Sequence, residues 1–251
     1  GAVGYQWDFG DGSTGSGATP THTYLNPTDS TEHFAVKLSA TNAFGCTDST
    51  TAVVTVYPIP SAAFTIDAVS GCHPLAANLH DQSIGGTSFH WTYGDGLSSD
   101  TAAAVHQHTW YNFQGPGPVT YPVGLVVLSD HGCSSTATGQ VQVFPPVTAS
   151  FIADSSGCSP FDPHFTNLSS GATGYLWTFG DGGGSSAANA AHIYVNHGLN
   201  DAVFNPSLVA VSPFGCNDTA TVAVLVHPAP IAQFTASPST GCPPLPVNLQ
   251  D

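Results

Sequence analysis

Positive charge is almost missing from this sequence. Lys37 is the sole lysine and there is no arginine, against fifteen aspartates and one glutamate, for a net charge of −15. Without a basic patch the chain cannot track nucleic-acid phosphates, nor adhere electrostatically to an anionic membrane surface. Charged residues of either sign make up only 7% of the chain, against about a quarter in an average soluble domain, so ion pairs can hold little together. No run of eighteen apolar residues occurs, which excludes an apolar spanning helix and membrane insertion by that route. Methionine is absent even at position 1, and no signal-peptide pattern is present. Both features read as a processed or excerpted piece of a longer product.

Hydrophobic residues at 41% and aromatics at 10% are enough for a packed core, so disorder does not follow from the low charge. Glycine (27) and proline (20) punctuate a vocabulary of Ser, Thr, Val and Ala, which favours strands and turns. Six cysteines, each preceded by glycine, fit an oxidising, extracellular or cell-surface setting.

Internal repetition organises the chain. Trp7-Asp8-Phe9-Gly10-Asp11-Gly12 returns as Trp91-Thr92-Tyr93-Gly94-Asp95-Gly96 and as Trp177-Thr178-Phe179-Gly180-Asp181-Gly182. A second block reads His22-Thr23-Tyr24, His108-Thr109-Trp110 and His192-Ile193-Tyr194. A third runs from an aromatic to Gly-Cys, with Phe34 to Cys46, Tyr121 to Cys133 and Phe204 to Cys216 each twelve apart. Twelve residues beyond each of those cysteines stands a proline (Pro58, Pro145, Pro228), and six further a phenylalanine (Phe64, Phe151, Phe234). A second Gly-Cys follows seven or eight residues later (Cys72, Cys158, Cys242). Within the blocks apolar residues alternate, as in Phe34, Val36, Leu38 and Ala40, which is the period of a half-buried strand. No window offers a helical face, and short strands with frequent turn signals predict an all-β sandwich.

These blocks resemble the PKD (polycystic kidney disease) domain family. The resemblance implies tandem immunoglobulin-like β-sandwiches of about 80–90 residues in a linear array. The Gly-Cys pair resembles that in tandem arrays of large secreted surface proteins of gliding and other environmental bacteria. The second unit departs from the pattern, with Trp110 where the aromatic is usually Tyr and a Gly/Pro-rich loop between Tyr111 and Tyr121.

Counted from the prolines, residues 58–144 and 145–227 are complete units, residues 1–57 hold only the later strands of one, and residues 228–251 only the first two strands of another. Together the two ends make 81 residues, nearly a full unit. A unit lacking its first strands exposes core side chains and sheet edges. The missing strands are therefore expected from a neighbouring subunit by strand donation, or from a continuing chain. Either way the partner is self, in a head-to-tail polymer. Short proline linkers predict a rod.

Each conspicuous residue type has a bland reading beside the chemical one. Asp8 and Asp11 suggest Ca²⁺, yet Thr92 and Thr178 replace Asp8 in the other units, so turn chemistry is favoured. No cofactor is expected, apart from diffuse Ca²⁺ neutralising the acidic surface. His106 and His108 share a strand face, but no further Zn²⁺ ligands are identifiable. No nucleophile elbow, zinc-protease helix motif or convincing carboxylate pair is present, and the chain reads as non-catalytic. The first functional expectation is a structural subunit of an extracellular filament or surface fibre. The alternative is an adhesin or stalk binding cell-surface glycan, with Trp110, Tyr111 and Phe113 as its platform.

For the cysteines the simplest expectation is pairing within each unit, Cys72 with Cys133 and Cys158 with Cys216, and by the same register Cys242 with Cys46 across a subunit junction. Immunoglobulin-like topology raises an objection, since it sets the first and last hairpins at opposite poles. On that geometry Cys72 would instead pair with Cys216 of the following unit.

Overall fold

The computed structural model describes residues 1–251, which form two compact units, Gly1–Phe144 and Pro145–Asp251. All regular structure is β. In the first unit, β1 (Ala2–Asp8), β2 (Thr14–Ser16), β3 (Glu32–Asn42) and β4 (Thr47–Val56) make one antiparallel sheet in the order β2-β1-β3-β4. The remaining strands are β5 (Phe64–Ile66), β6 (Ser70–Cys72), β7 (Leu75–Asp81), β8 (Ser88–Thr92), β9 (Ser98–Ser99), β10 (Val105–Trp110), β11 (Val119–Leu128) and β12 (Ser134–Phe144). They build two facing sheets, β10-β7-β5 and β6-β12-β11-β8-β9. Alternation on β11 sends Tyr121, Val123, Leu125 and Val127 inward, where they pack with Trp91, Trp110, Leu79, Val141 and Val143. Most of these core side chains, both indoles included, are fully withdrawn from water. Burying an indole removes on the order of 200 Å² of surface, several kcal/mol at about 25 cal/mol/Å². That is the stabilisation a chain with one lysine cannot draw from ion pairs.

In the second unit the strands are β13 (Phe151–Ile152), β14 (Ser156–Cys158), β15 (Thr166–Asn167), β16 (Gly174–Thr178), β17 (Gly184–Ser185), β18 (Ala202–Phe204), β19 (Ser207–Val211), β20 (Asn217–Thr221) and β21 (Val224–His227). They form the sheets β13-β15, β14-β21-β18 and β17-β16-β19-β20. Its core is Phe151, Phe165, Trp177, Phe179, Tyr194, Leu208, Val224 and Val226. The last two strands, β22 (Thr235–Ser237) and β23 (Asn248–Gln250), pair only with each other.

A sheet is left one-sided at each end of the chain. On β3, Phe34, Val36 and Leu38 are only half-buried, whereas Leu125 and Leu208, in the place of Leu38, are fully buried. Trp7 is likewise half-buried where Trp91 and Trp177 are not exposed at all. At the other end, Leu249 is 70% exposed, although Leu79 at the matching position is 0% exposed and Phe165 only 6%. The backbone register of this hairpin is nevertheless that of the buried version. Thr235 faces Gln250 and Ala236 faces Leu249, as Thr65 faces His80 and Ile66 faces Leu79.

Candidate functional site

The recurrent Gly-Asp-Gly turn is a wired structural joint. Glycine is needed at its first position because the backbone has φ of 81°, 76° and 83° at Gly10, Gly94 and Gly180. A Cβ there would also meet strand backbone, 2.4 Å from the Pro122 carbonyl oxygen in the case of Gly94. The aspartate then caps the turn. Asp11 Oδ1 accepts the backbone N–H of Ser13 at 3.0 Å, Asp95 that of Leu97 at 3.0 Å, and Asp181 that of Gly183 at 2.9 Å. The other oxygen of each carboxylate binds the motif histidine, at 2.6 Å for His22, 2.7 Å for His108 and 2.7 Å for His192. Each imidazole lies flat on the motif aromatic, with ring centroids 4.1, 3.8 and 4.1 Å apart on Phe9, Tyr93 and Phe179.

Both oxygens of these aspartates are thus occupied, which accounts for the turn reading over a cation site. The hydroxyl of Ser13, then His22, hold the Asp11 carboxyl well below the usual carboxylate range. At Asp181 partial burial pushes the carboxyl up, but the Gly183 N–H and His192 more than offset it, and the net direction is down. No group of three or more His, Cys, Asp or Glu side chains is arranged to hold a metal ion. His106 does not join His108 in a cluster. Its ring packs edge-on against Trp91 at 4.7 Å, with both nitrogens buried and unpartnered, and desolvation, then His108, push its pKa down.

The second-block aromatic anchors the turn from below. Tyr24 and Tyr194 donate their hydroxyls to the carbonyls of Phe9 and Phe179 at 3.0 and 2.9 Å. Trp110 donates its indole N–H to the Tyr93 carbonyl at 2.8 Å. Trp110 is therefore a core residue, 0% exposed, and does not belong to a binding platform. An indole N–H can replace a phenol O–H because the bond needs only a donor. Tyr111 and Phe113 do lie exposed, stacked at 5.7 Å and 9°, and His73 flanks them.

An asparagine also recurs in each repeat outside the three blocks. Asn26, Asn112 and Asn196 each stand two positions after the second-block aromatic. Their side-chain amides donate to the carbonyls of Val56, Val143 and Val226 at 2.8, 2.9 and 2.8 Å, tying loop to strand. The repeated Tyr-x-Asn or Trp-x-Asn spacing is the signal that would have found them.

The cysteines depart from the intra-unit expectation. Cys133 and Cys158 are free thiols, as are Cys46 and Cys242, while Cys72 and Cys216 are disulfide-bonded. Strand direction explains why neither intra-unit pair forms. The short strand β6 runs parallel to β12, so Cys72 lies beside Phe144 at the strand's far end, whereas Cys133 immediately precedes its first residue, Ser134. Eleven residues at ~3.3 Å each separate the two by about 36 Å, against the roughly 7 Å a disulfide tolerates. The same holds in the second unit, where Cys158 lies beside His227 and Cys216 immediately precedes β20. The expected junction pair, Cys242 with Cys46, would join two subunits, and both thiols are free in the single chain. Cys242 takes the place of Cys72, and Cys46 immediately precedes β4, so completing that repeat would set them at opposite ends of one strand.

The geometry defines a protein of repeated immunoglobulin-like β-sandwiches, without a helix long and apolar enough to cross a membrane. The PKD domain family model matches residues 1–57. Among solved structures, the PKD1 domain of the Vibrio cholerae metalloprotease PrtV is 23% identical, covering 35% of this chain and 99% of that one with a TM-score of 0.28. The PKD1 domain of Vibrio anguillarum Epp is 25% identical over 36% of this chain and 98% of that one, with a TM-score of 0.27. The fibronectin(III)-like modules of Clostridium thermocellum CbhA are 14% identical over 66% and 95%, with a TM-score of 0.32. Nothing among the curated proteins matches. Residues 1–57 thus match the PKD domain family, and their Trp-to-Gly and His blocks recur in the two following repeats.

Proposed function

We propose that this chain is a non-catalytic structural subunit of an extracellular filament or surface fibre, built head to tail from PKD-like repeats. A hairpin of the kind formed by residues 228–251 completes the open repeat 1–57, supplied by a neighbouring subunit or by continuing chain. A single observation carries the reading. The chain holds an open sheet with half-buried Trp7, Phe34 and Leu38, and also a hairpin with exposed Phe234 and Leu249 whose backbone register is that of the first strands of a complete repeat. Donated strands satisfy edge hydrogen bonds and supply alternate side chains to the open core. A heterologous contact of this kind does not close on itself and generates a fibre. The near-absence of Lys and Arg suits an exposed fibre, because it denies trypsin-like proteases their sites. The adhesin reading is favoured by the exposed Tyr111–Phe113 stack alone.

Electron microscopy of the purified chain at rising concentration tests the proposal. Regular fibres are expected, and a chain lacking residues 228–251 is expected to stay monomeric. A full chain that remains monomeric at every concentration overturns the reading, as does a truncated chain that polymerises equally well. Monomers that bind glycan through Tyr111 and Phe113 would establish the adhesin in its place.

A further inference from the structure

Three buried side-chain polar atoms lie without a hydrogen-bond partner, and all three are in one place. They are Nε1 of Trp91 and both ring nitrogens of His106. A buried polar group left unbonded is costly, and native cores hold few of them. His106 stands on β10 opposite Leu79 of β7, with its ring edge-on to Trp91 at 4.7 Å and to Tyr93 at 6.1 Å. Two residues before the motif histidine, the other repeats carry Pro20 and Ala190 instead. Those repeats also satisfy their indole. Trp7 donates to the Gly17 carbonyl and Trp177 to the Ala187 carbonyl, both at 3.0 Å. The imidazole is therefore an intrusion peculiar to repeat 58–144, at a place where the fold needs only a small apolar side chain.

The surroundings decide what a proton does to it. β10 is the outer strand of its sheet, paired with β7 alone, and a cleft of about 420 Å³ separates His106 and Gln107 from Ser98, Ser99 and Thr101. Of the titratable groups nearby, His108 on the same strand opposes a charge on the ring and Asp81 at the end of β7 favours one. The Tyr93 phenol is bonded to Ser99 at 2.6 Å, while Asp95 and Asp100 are taken up by His108 and His90. No acceptor reaches either ring nitrogen, so an imidazolium there would bury a charge and two N–H donors without partners.

We infer that His106 is an acid-operated latch on repeat 58–144. Neutral, it seals the sheet edge against Trp91; protonated, it leaves the core and β10 parts from β7. Burial first, then His108, hold its folded pKa below the 6.5 of an exposed imidazole. The closed state therefore has its full stability above about pH 6.5 and loses it as the pH falls through the folded value. Because β10 has one neighbour, its departure breaks a single ladder and the opening is local. Repeat 145–227, with Ala190 in that place, stays closed. The latch acts within one repeat and holds whether or not copies polymerise.

Hydrogen exchange of the β10 amides in the full chain, corrected for intrinsic rates, tests this at about pH 7.5 and about pH 5.5. The opening constant is expected to rise roughly five- to tenfold on acidification, as release of one imidazole of ordinary pKa requires. In His106→Ala, which installs the residue of repeat 145–227, the rise should stay under about twofold, and the β19 amides should show none in either chain. Imidazole NMR of the unmodified chain should place the His106 titration below that of an exposed histidine. An equal rise in both chains overturns the inference, because the motif histidines would then be its source. So does a folded His106 titrating at or above 6.5. Should His106→Ala fail to fold, the titration of the unmodified chain decides alone.

Discussion

Leu79 and Leu249 occupy the same place in the repeat and the same backbone register, yet one is 0% and the other 70% exposed. Truncating each to alanine therefore separates what the hairpin does in a single chain from what it does between chains. For Leu79 the loss of a fully buried side chain plus the cavity it leaves costs about 2–5 kcal/mol of folding stability. Leu249→Ala removes a side chain with little to pack against, and its effect on the monomer stays within about 0.5 kcal/mol. In the polymer the balance reverses. In the proposed head-to-tail assembly Leu249 would enter the core of the completed repeat, and its burial would contribute about 1.5–3 kcal/mol, or about ten- to hundredfold in the association constant. Urea unfolding of the monomer with its free thiols capped gives the first comparison, and the critical concentration for fibre formation gives the second. Leu79→Ala should lower the unfolding midpoint, and Leu249→Ala should raise the critical concentration with an unchanged midpoint. If Leu249→Ala destabilises the monomer as Leu79→Ala does, or leaves the critical concentration where it was, the equivalence of the two positions is wrong.

Tyr194→Phe deletes only the hydroxyl that satisfies the Phe179 carbonyl, and it should cost about 1–3 kcal/mol in urea unfolding because a buried acceptor is orphaned. The matching Tyr24→Phe, in the half-open repeat, should cost less than about 1 kcal/mol. The carboxyls of Asp11 and Asp181 are held below their unfolded value, so the stability they contribute is present above about pH 4 and is lost as the pH falls through their folded values. Urea midpoints should therefore be insensitive to these groups from pH 8 to 5 and drop below pH 4. Asp181→Asn should blunt that drop at a cost, screened by solvent, of less than about 1 kcal/mol at pH 7.

Strand periodicity and the three repeating blocks carry most of the fold, because alternation on Tyr121–Val127 and the Trp–Gly–Asp–Gly turn each leave a local mark. The histidine of the second block shows in the sequence only as a recurrent position, and the aspartate it binds comes from the structure. Trp110 departs from tyrosine and precedes a long loop, which suggests a surface platform, yet it is fully buried. Its position in the repeat was the better guide, since the backbone around it demands a buried donor and either ring supplies one. The three asparagines stayed hidden because a side-chain amide bonded to a distant carbonyl has no periodicity. Only their common offset from the aromatic betrays them.

The cysteines mark the point where spacing stops informing. Loops of about sixty residues can be closed with a favourable effect on chain entropy wherever the two ends meet, so loop length alone makes intra-unit pairing attractive. Entropy is silent on whether they do meet, and an extended strand keeps its two ends apart. The deciding element is the three-residue strand Ser70–Cys72 and its parallel pairing with the end of β12. A strand that short has no alternation to read, and its direction follows from a sheet that forms only when the rest of the repeat is in place. Once that direction is fixed, the two cysteines of a repeat lie at opposite ends of it. Any covalent scheme that uses both must then leave the repeat to find its partners.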